Sequence, residues 1–426
     1  AGRAVVLSSF LMGGPSGSGV ATTVTIGTVA YPLLAKAGYE KNAAGGLLAA
    51  GGLGAIISPP VLGAAAFLIA EFLKISYFDV ILMAVIPTVL YYLSIFVMVE
   101  LDAARHGGGG EVLPTRGTVW QLFKGYWFHF GSLVSIIAFM LAGFSPVLAV
   151  FWATVLAIAT SFFRADTALW PRKLVTALAE GTTGVLNVAT TCATAGIIVG
   201  VTTLTGLAQR FADIIIGYAA GSLLLTALYT AAIVWVVGLA VPVTASYIMC
   251  AVIAAPALIK LGVPDFAAHM FIFYYAVLSE VSPPTALSPF AAAAITGGDP
   301  YKTTLQSWKY TMPAFLVPFA FVLDPAGVGL LWHVPQNGDW SDAAILGLRT
   351  AAGIAILAIA LQGRLFKRST RLESILFLAA GLMLVLPSIF VGMAAMLPAP
   401  FAAHALSAVA LCIVMATAIM QRLRNS

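Results

Sequence analysis

The chain runs to 426 residues, of which 61% are hydrophobic and 9% charged, with a formal net charge of +5. An average soluble domain carries about 25% charged residues, so this composition excludes a globular domain with a single anchor and describes a polytopic helical membrane protein. The basic residues sit in short loops without interleaved aromatics, which excludes a nucleic-acid surface, and Cys192, Cys250 and Cys412 lie far apart with neither disulfide nor metal-ligand spacing.

The first predicted element is an apolar segment broken at Gly13-Gly14-Pro15-Ser16-Gly17-Ser18-Gly19 and followed by Val20-Ala21-Thr22-Thr23. Glycines, a proline and hydroxyls in such density cannot continue a helix. The stretch is expected to be the tip of a re-entrant hairpin, with Thr22 and Thr23 facing a substrate path. Non-helical backbone at membrane depth is tolerated only where it is buried in protein or lines a cavity. After a loop with Lys36 and Lys41, the next apolar run is broken at Gly54-Ala55-Ile56-Ile57-Ser58-Pro59-Pro60, because each proline lacks an N–H and disrupts the carbonyl four residues back. The freed carbonyls of two facing breaks form a hard-oxygen site suited to Na⁺, and the start of each resumed helix suits an anion. Glu71 closes this element near the outer surface, where a structural role is expected.

A span at 78–99 leads into the basic linker 105–124, whose Gly107-Gly108-Gly109-Gly110 has no phosphate-loop context. Spans are expected at about 126–141, 145–163 and 185–207, with Arg164, Arg172 and Lys173 inside the cell. Thr182-Thr183, Asn187, Thr190-Thr191 and Thr194 recur at spacings of three and four and so share one helix face. That face either borders the substrate path or hydrogen-bonds to neighbouring helices.

Residues 214–261 are expected to form a second re-entrant hairpin turning at 239–244, a full crossing being the alternative. A broken helix at 266–297 follows, carrying Leu278-Ser279-Glu280-Val281-Ser282-Pro283-Pro284-Thr285. A carboxylate in an apolar span is costly unless it is paired, neutral or facing water. Glu280 is therefore either a cation or proton carrier, or the structural partner of a hydroxyl or a helix N-terminus. Beyond it, the runs at 310–323 and 343–361 flank a loop with no Lys or Arg, whereas Arg364, Lys367, Arg368 and Arg371 follow the second run and Arg422 and Arg424 end the chain. The positive-inside rule places those basic loops and the C-terminus in the cytoplasm.

Ser58-Pro59-Pro60 recurs as Ser282-Pro283-Pro284, an offset of 224, and the same register pairs Gly14 with Gly238, Pro32 with Pro256, Lys36 with Lys260, Gly38 with Gly262 and Tyr77 with Tyr301. Loop charges put Gly38 and Gly262 on opposite sides of the membrane, so the repeats are inverted. The expected fold class is all-α, with two re-entrant hairpins and two discontinuous helices. It divides into a first repeat (1–101), a linker with intervening spans (102–213), a second repeat (214–325) and a C-terminal helical extension (326–426). Matched helix breaks in duplicated halves mark secondary transporters. His106, His129, His269, His333 and His404 are scattered, and neither a nucleotide-binding motif nor a nucleophile–base constellation is present, so neither an enzyme nor an ATP-driven pump is expected.

The stretches Ser16-Gly17-Ser18-Gly19-Val20-Ala21-Thr22 and Gly54-Ala55-Ile56-Ile57-Ser58-Pro59-Pro60 resemble the large membrane subunit of tripartite ATP-independent periplasmic (TRAP) transporters. Gly63-Ala64-Ala65-Ala66-Phe67-Leu68-Ile69-Ala70-Glu71-Phe72-Leu73 and Ala195-Gly196-Ile197-Ile198-Val199-Gly200-Val201-Thr202-Thr203-Leu204-Thr205-Gly206-Leu207 resemble its TAXI branch, whose two membrane subunits are commonly fused. The resemblance covers about residues 1–325. It implies an elevator-type symporter of the bacterial inner membrane, related to the ion-transporter superfamily and driven by Na⁺ or H⁺ with no other cofactor. It also implies a periplasmic binding protein that delivers an organic anion, typically a carboxylate, and a small membrane subunit or a fused region preceding Ala1. Carried over to matching positions, a first cation site would use Ser16 and Ser18 with Gly54, Ile57 and Pro59. A second would use Thr244 and Ser246 with Leu278, Val281 and Pro283. Two departures stand out: Ser58 replaces a further proline, and the tip Val241-Pro242-Val243-Thr244 is poorer in glycine than the first. A binding-protein-independent anion carrier or channel is the alternative.

Overall fold

A computed structural model describes residues 1–12, 18–60, 62–105, 116–239, 241–334, 338–391 and 399–423; the side chains of 12, 116–119, 122, 187–188 and 399–404 fall outside that description. Among the described residues all regular structure is helical, apart from one isolated bridge between Arg364 and Arg368. Tyr77–Arg105, Pro171–Leu204, Val243–Lys260, Trp340–Gln362 and Ala405–Leu423 are each long and apolar enough to cross a membrane. The chain is a multi-pass helical membrane protein.

The first hairpin consists of α1 (Gly2–Met12) and α2 (Gly19–Lys36). Ser18 caps α2, its hydroxyl accepting the Ala21 N–H at 3.3 Å. The helix ends at Gly38, which adopts φ +83°, a conformation that costs glycine nothing; the Tyr39 N–H then reaches back to the Leu34 carbonyl at 3.1 Å. The broken helix follows as α3 (Lys41–Ile57), the Ser58-Pro59-Pro60 interruption and α4 (Ala65–Leu73), and after it comes α5 (Tyr77–Arg105), long and apolar enough to cross the membrane.

The second copy begins at α6 (Leu223–Gly238) and continues through α7 (Val243–Ile253), α8 (Ala255–Lys260), α9 (Asp265–Leu278), a 3₁₀ turn at Ser279–Val281 and α10 (Leu287–Thr296). Val243, Lys260, Asp265 and Val281 bound these elements 224 residues after Gly19, Lys36, Lys41 and Ile57. Gly262 repeats the left-handed turn of Gly38 with φ +89°, closed by Val263 N–H to the Leu258 carbonyl at 3.2 Å. Both Pro-Pro peptide bonds are cis. The hairpin starts later than the expected residue 214: Leu207–Tyr218 is a helix of its own, separated by Ala220 and Gly221, both at positive φ. With 16 residues, α6 rises about 24 Å, short of a hydrocarbon core of roughly 30 Å.

Between the copies lie His129–Leu141, Pro146–Ser161 and a 34-residue helix, Pro171–Leu204. This last helix begins well before the expected residue 185, because Pro171 sits in its first turn, where a missing N–H is harmless.

The protein centre is built on α3, in which every residue from Ala44 to Ile57 is buried. It lies against α2, α10 and α11 (Pro300–Tyr310). Backbone approach is close where Gly52 meets α2: a Cβ there would fall 2.0 Å from Thr23 Oγ1 and 2.4 Å from the Gly19 carbonyl oxygen. Further cross-copy ties are Tyr31 OH to the Thr296 carbonyl at 2.8 Å and the Asp299 N–H to Asn42 Oδ1 at 2.8 Å. Of the extension, Trp340–Gln362 docks on α5 through a buried carboxylate. Asp102 Oδ2 accepts the Tyr310 hydroxyl at 2.5 Å and Gln362 Nε2 at 3.1 Å, while Lys309 Nζ donates to Gln362 Oε1 at 2.8 Å.

Candidate functional site: paired tips and helix breaks

At the first break the chain turns because Pro59 and Pro60 supply no N–H, which leaves carbonyls of the last turn of α3 without helical donors. Hydroxyls take over part of that work. Ser58 Oγ donates to the Gly54 carbonyl at 2.5 Å and Thr88 Oγ1 on α5 to the Ile57 carbonyl at 2.7 Å. A carbonyl oxygen has two lone pairs, so one that accepts a hydroxyl can also serve a second electropositive partner. Thr22 and Thr23 are both buried, Thr22 donating to the Ser18 carbonyl at 3.1 Å and Thr23 to the Leu48 carbonyl at 3.5 Å. Pro59 is half-buried. Ser16 lies outside the described residues.

The second break repeats the pattern. Ser282 Oγ donates to the Leu278 carbonyl at 2.7 Å, the exact counterpart of Ser58 to Gly54 at the offset of 224. The Val281 carbonyl, counterpart of Ile57, also accepts from the following span, here Trp308 Nε1 at 3.0 Å. Thr285 Oγ1 reaches across to the Leu239 carbonyl at the second tip at 2.7 Å. Ser246 is fully buried and Thr244 and Pro283 are half-buried. Thr88 and Trp308 went unnoticed in the sequence, and Thr285 was read only as part of the break. Thr88 aligns with Met312 and Trp308 with Ala84, so a search for matching pairs passes over both donors.

Glu280 joins the two copies. Its Oε1 accepts the Val20 N–H at 2.9 Å, at the free N-terminal turn of α2. The Ser288 hydroxyl faces the same carboxylate without reaching hydrogen-bond geometry. Gly19 leaves the space: a Cβ at that position would sit 2.7 Å from Glu280 Oε2. Of the roles open to Glu280 in the sequence, partner of a helix N-terminus is the one that the geometry displays. Glu71 lies at the surface, paired with Lys74 at 2.5 Å.

The threonine ladder stands apart from this cluster. Thr182, Thr183, Thr190 and Thr194 each donate to the carbonyl four residues earlier, at 2.8, 2.8, 2.8 and 2.9 Å. Their helix packs against α7. Thr191 is half-buried, and the Asn187 side chain is outside the described residues.

Helix breaks buried among apolar spans, with hydroxyls and carbonyls converging on them from two matched copies, define a membrane transport protein of the discontinuous-helix class. The sequence model of the family described as "Tripartite ATP-independent periplasmic transporter, DctM component" matches residues 1–335, and the chain belongs to that family. Over 172 residues it is 29% identical to the 2,3-diketo-L-gulonate TRAP transporter large permease protein YiaN of Escherichia coli (strain K12). That match spans 39% of this chain and 40% of the relative's length.

Proposed function

We propose that the chain is the permease of a secondary importer that couples a cation gradient, Na⁺ or H⁺, to uptake of an organic anion, a carboxylate, handed over by a periplasmic binding protein. The observation that supports this reading is the matched pair of breaks, where Gly54 and Ile57 on one side and Leu278 and Val281 on the other each hold a carbonyl bonded by a single side-chain donor. A carbonyl with a spare lone pair is a ligand for a hard cation, and the half-helix starts nearby suit the anion. The first cation would sit among Ser16, Ser18, Gly54, Ile57 and Pro59, the second among Thr244, Ser246, Leu278, Val281 and Pro283. Thr22, Thr23 and Glu280 are the candidates along the substrate path, and the helix face of Asn187, Thr190 and Thr191, open to either role in the sequence, is taken as structural. Inverted repeats at 1–101 and 214–325, membership of the TAXI branch, a small membrane subunit and a cytoplasmic C-terminus complete the proposal. 2,3-Diketo-L-gulonate, the anion in the relative's name, is a carboxylate of the expected class.

The test is uptake of a carboxylate panel, 2,3-diketo-L-gulonate included, by proteoliposomes that hold the full chain, with and without the secreted binding protein encoded nearest to it. Uptake that needs both the binding protein and an inward Na⁺ or H⁺ gradient is expected. Uptake of equal rate without any binding protein would favour the independent carrier and sink the proposal. Ser18→Ala combined with Pro59→Ala should abolish the cation dependence while membrane insertion stays intact; unchanged dependence would remove the first cation site.

A further inference from the structure

The two tips are held unequally. On the first, the N-terminal turn of α2 meets an acidic side chain of the other copy, Glu280 Oε1 to the Val20 N–H at 2.9 Å. Glu280 is 91% buried, its relative exposure being 9%, and anionic groups at a helix N-terminus are stabilised by the unpaired amides and the helix dipole. Thr23 and the Gly19 carbonyl also rest directly on the backbone of Gly52. On the second tip, α7 is preceded by Pro242, which offers no side-chain cap, and the described ties to its break lie within the one copy: Thr285 Oγ1 donates to the Leu239 carbonyl at 2.7 Å, and Gly238 rests on Ser279, where a Cβ would fall 2.5 Å from the hydroxyl.

The asymmetry is written into the repeat. At the offset of 224 the counterpart of Glu280 is Ile56 and the counterpart of Val20 is Thr244. The reciprocal contact, a group of the first copy capping the second tip, would need Ile56 to accept an N–H, which a hydrocarbon side chain cannot do. The first tip therefore has a cross-copy anchor that the second cannot make.

We infer that Glu280 is a positioning residue that latches the first hairpin tip to the second copy. The latch is a property of the folded chain and stands independently of the permease reading. Gly19 is part of the device, since any side chain there would push the carboxylate off the helix end.

Hydrogen exchange followed by mass spectrometry on the full chain in lipid nanodiscs, at one fixed pH and without substrate, tests the latch. Peptides covering 19–23 should exchange more slowly than those covering 243–247. Glu280→Ala should speed exchange at 19–23 by about 2- to 10-fold, the factor that matches loss of one hydrogen bond. Glu280→Gln, whose amide oxygen still accepts the Val20 N–H, should give a smaller change. Gly19→Ala, which leaves Glu280 in the sequence but takes its space, should reproduce the effect of Glu280→Ala. In all three variants α9 should keep its protection. Equal protection of the two tips in the unmodified protein, or unchanged exchange at 19–23 in both Glu280→Ala and Gly19→Ala, would overturn the inference. Because exchange is read without transport, failure of uptake alongside the expected pattern would count against the permease reading and not against the latch.

Discussion

Gly52→Ala offers the sharpest test of how the first tip is seated. The added Cβ would lie 2.0 Å from Thr23 Oγ1 and 2.4 Å from the Gly19 carbonyl oxygen. Ordinary contact begins near 3.4 Å, so the backbone of α2 and α3 must part by about 1 Å locally. The Thr23 hydroxyl can swing away, but the Gly19 carbonyl belongs to the backbone that the Glu280 contact fixes. Overpacking of this kind costs about 1–3 kcal/mol and occasionally more; with backbone as the obstacle, the upper end, about 3 kcal/mol, is expected. The control is Gly184→Ala on Pro171–Leu204, where a Cβ meets nothing within 4 Å and replacing a mid-helix glycine stabilises by roughly 0.5–1 kcal/mol. The assay is thermal unfolding of the two variants in the same nanodiscs, read by intrinsic fluorescence. Gly52→Ala should lower the midpoint by several degrees and Gly184→Ala should not. If both variants unfold with the parent protein, the close seating of α2 on α3 is wrong.

Other consequences follow from the polar groups. Asp102→Ala removes the acceptor of both Tyr310 and Gln362 and should destabilise the docking of Trp340–Gln362 by about 2–4 kcal/mol, seen as a lower unfolding midpoint; Asp102→Asn, which keeps one acceptor, should cost less. The Asp339 carboxyl, at the start of that helix in an exposed loop, is held below its usual range by the Ser341 hydroxyl first and then by the Asp342 and Ser341 N–H groups. A depressed carboxyl contributes stability above its unfolded pKa and loses it as pH falls through the folded one. Exchange at 340–345 should therefore rise only below about pH 4, and a rise already at pH 6 would contradict the cap. Thr190→Val should change uptake by less than about twofold, because the hydroxyl serves its own helix, Thr190 Oγ1 to the Leu186 carbonyl at 2.8 Å. A tenfold loss would return the ladder to the substrate path.

Features carried by local covalent chemistry were legible before the structure. The paired prolines interrupt the chain after Ile57 and after Val281, whereas the single prolines Pro32 and Pro87 lie inside α2 and α5, and Gly38 and Gly262 mark turns that other residues enter at a cost. The duplication multiplied those local signals, which is why the broken helices were placed nearly to the residue. Boundaries between apolar elements were harder. Leu207–Tyr218 carries Arg210 and Asp213 where α6 carries no charge, but apolar residues continue from Ile214 across Ala220 and Gly221, so the turn there was absorbed into the hairpin. Contacts across the fold were the least readable: nothing in the neighbourhood of Glu280 announces that its partner is the Val20 N–H, 260 residues away. Thr88 and Trp308 occupy different positions in the two copies yet serve equivalent carbonyls, a likeness of role that residue matching does not see.

Burial of α3 on all sides has a bearing on biogenesis. Its cover includes α10 and α11, which begin at Leu287 and Pro300, some 230 residues after α3 ends at Ile57. At a synthesis rate of 5–20 residues per second, the glycine-rich surface of α3 waits on the order of 10–50 s for that cover. During that interval it has only α2 and the rest of the first copy to lean on, with lipid or the insertion machinery taking the place of the absent half. Completion of the second copy is thus the event that closes the protein's centre, and chains halted before Leu287 should be held as clients of membrane quality control and not released as half-carriers.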